Sequence, residues 1–313
     1  MNLIMISAMY ENGGNTTHRM LDGHPELHVY PFESQVGTPL VNDYLTSYVP
    51  IRYRWPEFPM DGEPERDYEL FWDEELKTYL RVRSRSKFKD CGLDMDERER
   101  RREFVAYLKD RPRTRRTIVE AYFHSTFAAW KNLRRTRSER AWVGYNPVQV
   151  LDVDKFFKDF PDGHMIHTVR HPFAGYADTK KRPFPLSLER YGWTWNLSQH
   201  TALVAEQRYA GRFHVLRFED LVADPRGALG AVLELMGFEW DDACAAPTFN
   251  GQRLTDIQPW GTIRKASVEA HDATKRELSA KEQEQLAMLT RVMYDMMYEG
   301  RAERSVAADA VIA

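Results

Sequence analysis

Cysteine is almost missing from this chain of 313 residues, where only Cys91 and Cys244 occur. Two thiols are too few for a disulfide framework and too isolated for a zinc site; they read as inert groups of a reducing compartment. No apolar run approaches the roughly 18 residues that span a bilayer. The apolar start MNLIMISAM has no basic segment and runs straight into a polar loop, unlike a secretory leader. A cytoplasmic protein without stable membrane insertion is the expectation. Repeats, low-complexity tracts and Gly/Ser/Pro linkers are also missing, so a single domain over 1–313 is expected. An excess of one charge is lacking too: 44 Lys and Arg face 47 Asp and Glu, a net charge of −3, which predicts no general affinity for nucleic acid. Charge gathers only locally, as RERRR at 98–102 and RPRTRR at 111–116, partly offset by acidic residues around Asp61–Asp73.

What is present is an ordinary globular composition, 42% hydrophobic and 29% charged, in a chain long enough to bury a full core. Residues 3–8 read as a buried strand and 16–21 as a short helix that Pro25 follows. Between about 60 and 140, three stretches (69–82, 102–110 and 117–133) carry apolar residues at helical spacing. They predict a helical insertion or cap. Alternation then resumes: strands at 140–145, 163–170 and 212–218, and helices at 150–160, from Pro172, at 187–210 and within 219–238. A last amphipathic helix is expected over 279–300. Strand–helix alternation of this length predicts a parallel sheet covered on both faces.

Two places carry chemistry. The run LIMISA feeds MYENGGNTTHRML, a glycine-rich loop that opens a helix. That order suits an anionic phosphate held on backbone N–H groups at a helix N-terminus. Gly13 and Gly14 allow close approach, while Asn15, Thr16 and Thr17 offer side-chain donors. The Gly-Lys-Ser/Thr ending of an ATP-binding loop is not there. Further on, GHMIHTVR ends in Arg170, followed by His171 and Pro172. An Arg at the carboxyl end of a parallel strand sits where α/β sheets bind ligands, and its guanidinium can grip a phosphate through two parallel hydrogen bonds.

Three segments make the chain resemble the sulfotransferases that use 3′-phosphoadenosine-5′-phosphosulfate (PAPS), especially the bacterial and tyrosylprotein-like branch. They are the loop with its LDGHPEL tail, NPVQVLDVDKFFKDFPDGHMIHTVRHP, and LRFEDLVADPRGALGAVLELMGF. Together they cover most of 1–40 and 141–240; the stretch 60–140 has no part in the likeness. The resemblance implies a P-loop-type three-layer α/β fold and PAPS as sulfuryl donor, with 3′,5′-ADP as product and no metal. It implies that the first loop (Asn12, Gly13, Gly14, Asn15, Thr16, Thr17) binds the 5′-phosphosulfate and Arg170 the 3′-phosphate. Eight residues beyond the Arg, where the family has Ser, stands Asp178 with Thr179 beside it. Thr179 takes over that role, or Asp178 pairs with Lys180 or Lys181. A late loop, QPWGTIRKAS, would close over the nucleotide through Gly261, Arg264 and Lys265, with Trp260 stacking on adenine. Phe218 reads as core.

The family loop usually reads Arg/Lys-Ser-Gly-Thr-Thr. Counting back from HPE sets Glu11 at the cation; a shorter helix instead matches Thr16 and Thr17 to the family's threonines. Either way a cation must come from elsewhere, with Arg19, Arg52 and Arg54 as candidates. Many relatives carry a catalytic His some two dozen residues before the Arg, but GYNPVQ (Tyr145, Asn146, Gln149) has none. The tyrosylprotein-like branch uses a Glu shortly after HPE, which here is Glu33, the expected general base. His18 and His24 have local explanations, and His164, His167 and His171 lack the company of a metal site. The acceptor is expected to be a hydroxyl compound (carbohydrate, lipid or small molecule) held between the sheet edge and the 60–140 helices, with Tyr53, Trp55 and Phe58 along its pocket. An ATP-dependent small-molecule kinase and a non-catalytic nucleotide-binding module are the alternatives; homo-oligomerisation is left open.

Overall fold

The computed structural model describes residues 1–254 and 267–312, with only the helical backbone given for 300–312. Its centre is a five-stranded sheet of order β2-β3-β1-β4-β5, formed by β1 (Asn2–Ala8), β2 (Leu27–Val29), β3 (Ala141–Tyr145), β4 (His164–Val169) and β5 (Phe213–Arg217). Every pairing is parallel. The first strand lies in the middle because its apolar run has both faces to bury. Ile4 and Ile6 point into one layer, and Leu3 and Met5 into the other. Burying each such side chain contributes about 1.5–3 kcal/mol.

Alternation along the strands builds two cores. One face meets α1 (Gly14–Leu21), α9 (Phe218–Ala223) and α10 (Pro225–Leu235), through Met20, Leu21, Leu221, Leu229 and Leu233. The other meets α6 (Val153–Asp159) and α8 (Leu188–Arg208) together with the insertion, through Phe156, Ala202 and Ala205. A third cluster lies beyond the carboxyl ends of the strands, where Val169, Tyr191 and Trp195 pack with α7 (Pro172–Thr179) and α12 (Ala280–Ile312). α11 (Val268–Lys275) packs against α7 and α9, and a small hairpin, β6 (Thr248–Phe249) with β7 (Gln252–Arg253), precedes it. The result is the three-layer α/β arrangement the alternation predicts. No described helix is long and apolar enough to cross a membrane.

The insertion has four helices, not three: α2 (Pro64–Leu70), α3 (Glu74–Arg81), α4 (Glu97–Leu108) and α5 (Arg115–Ala129). The stretch 69–82 breaks at Phe71–Asp73, where Asp73 adopts φ 39. Its carboxylate is buried and receives hydrogen bonds from Tyr30, Tyr122 and Arg100. That network fixes a helix break which periodicity alone reads through. Phe104, Ile118 and Tyr122 join the same core as Leu3 and Met5, so the insertion and the sheet share one interior.

Candidate active site

The chain leaves β1 through Met9 to Gly13 and enters α1 at Gly14. Gly13 is at φ 90, and a Cβ there would lie 2.2 Å from Phe218 Cδ2. A Cβ on Gly14 would lie 2.4 Å from Tyr145 Cε2. Both positions therefore need glycine for space, and the first for conformation as well. No side chain caps the helix. The N–H groups of its first turn have no intrahelical partner and carry the positive end of the dipole. A cleft opens over them, bordered by Gly13, Gly14, Asn15, Thr16, Glu33 and Arg170 among others.

Two predicted loop ligands lie beneath this floor. The Asn12 amide donates to the Tyr10 carbonyl (2.8 Å) and the Tyr191 hydroxyl (3.0 Å), and its Oδ1 accepts from the Arg170 N–H (3.3 Å). Thr17 is fully buried, 2.9 Å from the Thr168 hydroxyl. Both shape the loop without bordering the cleft. A fully buried polar side chain must find partners inside the protein, and here those partners are the loop itself, β4 with the Arg170 that follows it, and Tyr191 on α8.

Arg170 follows β4 directly. Its Nη1 donates to the Glu11 carbonyl (2.9 Å) and to Asp178 Oδ2 (2.8 Å), and its Nε to His271 Nδ1 (3.3 Å). The guanidinium lies over the Phe218 ring, 4.9 Å from its centre. Asp178 also takes a bond from Lys181 at 2.9 Å. Thus Asp178 borders the cleft paired with Lys181, one of the two partners expected, and also with Arg170, which was not foreseen. Thr179 is fully buried, donates to the Gly175 carbonyl (2.7 Å) and stays outside the cleft. Phe218 is buried as expected, and its ring also walls the cleft.

His271, on α11, drew no notice in the sequence because nothing near it forms a motif. Burial and the Arg170 charge push its pKa down to about 3, so it stays neutral. Accepting from Arg170 at Nδ1 leaves the proton on Nε2, 3.2 Å from Glu219 Oε1. Glu219 in turn receives the His171 N–H at 2.9 Å. The predicted late-loop residues Gly261, Arg264 and Lys265, and Trp260, lie outside the described residues.

Glu33 borders the cleft beyond β2. Burial first, and then the charge of Glu75, raise its pKa to about 7, against the pull of Lys87 and of hydrogen bonds from Gln35 and Tyr53. Gln35 Nε2 donates to its Oε2 at 3.2 Å, and the Glu33 N–H donates to Glu75 (3.1 Å). A carboxyl poised near neutrality is what proton abstraction at physiological pH requires. Glu33, Tyr53 and Arg182 also border a second, more open groove, with Arg52, Glu74 and Lys87 along it.

Of the three expected aromatic walls, only Tyr53 borders these spaces. Trp55 is wholly buried against Phe156 and Phe160 and bonds Asp159; Phe58 packs on Phe71. Two candidate cations are likewise structural. Arg19 is buried and bonds Asp22 and the Tyr30 carbonyl, and Arg54 is locked between Asp43 and Asp152. Arg52 borders the groove, paired with Glu74 at 2.6 Å. Among the described residues, no three His, Cys, Asp or Glu side chains are grouped to hold a metal.

A family model described as "Sulfotransferase family" matches residues 4–242. Among solved structures, the sulfotransferase domain from the curacin biosynthetic pathway is similar at 13% identity and a TM-score of 0.52, over 92% of this chain and 97% of that one. The sulfotransferase domain of the olefin synthase from Synechococcus PCC 7002 aligns at 20% identity and a TM-score of 0.48, over 92% and 94%. No curated protein matches the sequence. With the glycine loop, the strand-end Arg170 and Glu33 all bordering one cleft, the family match over residues 4–242 places the protein: it belongs to the sulfotransferase family.

Proposed function

We propose that the cleft binds PAPS and that the enzyme moves its sulfuryl group to an acceptor hydroxyl entering from the groove. The observation that carries this reading is a pair of anion sites on one cleft. An uncapped helix N-terminus on Gly13 and Gly14 borders the same cleft as Arg170. The glycine cradle, which a Cβ would fill, suits a close-lying phosphate.

In this reading Gly13, Gly14, Asn15 and Thr16 hold the 5′-phosphosulfate, and Arg170, aimed by Asp178 and His271, holds the 3′-phosphate. The nucleotide supplies a sulfuryl group on a phosphate leaving group. Glu33, ionised above about pH 7, takes the acceptor's hydroxyl proton as that oxygen bonds sulfur. The sulfur–oxygen bond to the 5′-phosphate breaks, and its electron pair remains on the phosphate. The helix N-terminus stabilises the charge gathering there. Asn12, Thr17 and Thr179 support the loop and α7 from behind; Gly261, Arg264 and Lys265 remain proposed closers of the nucleotide site.

Ligand-dependent melting tests the reading. At a hundredfold excess over its Kd, a ligand that binds only the folded protein adds about 2.7 kcal/mol. Stabilisation by 3′,5′-ADP without stabilisation by Mg-ATP is expected. The reverse pattern would point to a kinase, and no response to either would remove the nucleotide site.

A further inference from the structure

Among the described residues, two guanidinium groups border the cleft, and only Arg170 has so far been given a task. The other belongs to Arg182, three residues past the end of α7. Arg182 borders both the cleft and the groove, as do Glu33 and Tyr53. Arg170 borders the cleft alone, beside Phe218 and His271. The two cations therefore mark different ends, with Arg182 at the end that opens toward Glu33.

Between them runs the loop, which carries Glu11 beside the backbone donors. A carboxylate there opposes an incoming anion unless a cation offsets it. Its Oε1 lies 3.8 Å from Arg182 Nε, and the Arg182 guanidinium lies over the Tyr10 ring, 5.1 Å from its centre. Glu11 adopts φ 57, a backbone conformation disfavoured for any residue with a Cβ. The Arg182 side chain is 35% exposed, so this pairing is loose enough for the guanidinium to turn to a ligand. Arg19 and Arg54, by contrast, are locked in buried pairs.

We propose that Arg182 supplies the cation for the 5′-phosphosulfate end of the donor, with Glu11 as the tether that keeps it at the loop. This rests on the sulfotransferase reading above. A guanidinium at that end neutralises both the bound phosphosulfate and the charge that the leaving phosphate gathers. The carboxylate in the loop is then no defect of the anion site, because it recruits the missing charge from another element.

The test needs no acceptor. Calorimetric titration compares 3′,5′-ADP with adenosine 3′-monophosphate, which lacks the 5′-phosphate, on wild type, R182Q, R182K and the double variant E11K/R182Q. Wild type prefers 3′,5′-ADP. R182Q loses about tenfold or more of that preference while its affinity for adenosine 3′-monophosphate holds, and R182K keeps most of it. Placing a cation in the loop in E11K/R182Q restores it. An R182Q variant that keeps the preference, or that loses both ligands equally, overturns the assignment and leaves the sulfotransferase reading standing. A wild type that binds neither nucleotide overturns both.

Discussion

Glu33 and Arg170 show how much chemistry one side chain's surroundings can set. The pKa of Glu33 rises on folding from its ordinary 4.5 to about 7. Turnover should therefore fall on the acid side of about pH 7 as the base takes up a proton, and a pH–rate profile of kcat checks it. E33Q should lower kcat by about two to four orders of magnitude while the affinity for 3′,5′-ADP holds. Linkage adds a second expectation. Between about 4.5 and about 7 the folded state binds more protons than the unfolded, so stability is lost as pH rises through that window. E33Q should gain stability over wild type at about pH 8 and not at about pH 4, as read by urea denaturation. Arg170 is held by Asp178, His271 and the Glu11 carbonyl. R170K, which keeps the charge but not the planar fork, should weaken 3′,5′-ADP binding by about tenfold or more, as read by calorimetry. Arg170 and Glu33 were visible in the sequence because each follows a strand end beside a motif. The side chains of Asn12, Thr17 and Thr179 turn into the protein and not into the cleft, and a polar residue in a ligand loop reads the same in sequence either way. Arg182 and His271 have no motif; the one hint was Glu11, a loop carboxylate in want of a cation.

Among the elements, the join of β1 to α1 asks most of the sequence. Gly13 and Gly14 are the two places where the ring walls of Phe218 and Tyr145 leave no room for a Cβ. G14A should destabilise the protein by about 1–3 kcal/mol, since Tyr145 is buried and must shift. G13A adds the strain of a positive φ, and both should weaken nucleotide binding. Urea denaturation with and without 3′,5′-ADP separates the two effects. β1, β3, β4, β5, α7, α8 and α10 were legible because apolar runs of the right period are punctuated by Pro, Gly or Asp, whereas β2 is only three residues long and α9 stands where a turn was expected. The break between α2 and α3 was not legible, because it depends on Tyr30, Tyr122 and Arg100 converging on buried Asp73. Such long-range satisfaction of one carboxylate leaves no local periodicity to read. Likewise α11 is too short and too polar to stand out, yet it supplies the His271 brace.

At the scale of the whole molecule, the 60–140 helices are as much core as the sheet. Phe104, Ile118, Tyr122 and Phe123 share one interior with Leu3, Met5 and Trp142. Urea unfolding should therefore show one cooperative transition, the same by tryptophan fluorescence and by circular dichroism. Two separated transitions would make the insertion an independent unit. Its placement also explains the site: α3 and the chain after it border the groove with Glu74 and Lys87 and set Glu75 against Glu33. The insertion thus helps raise the pKa of Glu33 as well as bordering the groove beside it. All of this turns on the reaction itself, which transfer from radiolabelled PAPS to a panel of carbohydrate, lipid and small-molecule hydroxyls measures most directly. The account predicts label on one acceptor class, one 3′,5′-ADP released per sulfuryl moved, and loss of transfer in E33Q. Transfer undiminished in E33Q, or none to any acceptor by a wild type that also ignores 3′,5′-ADP, would contradict it.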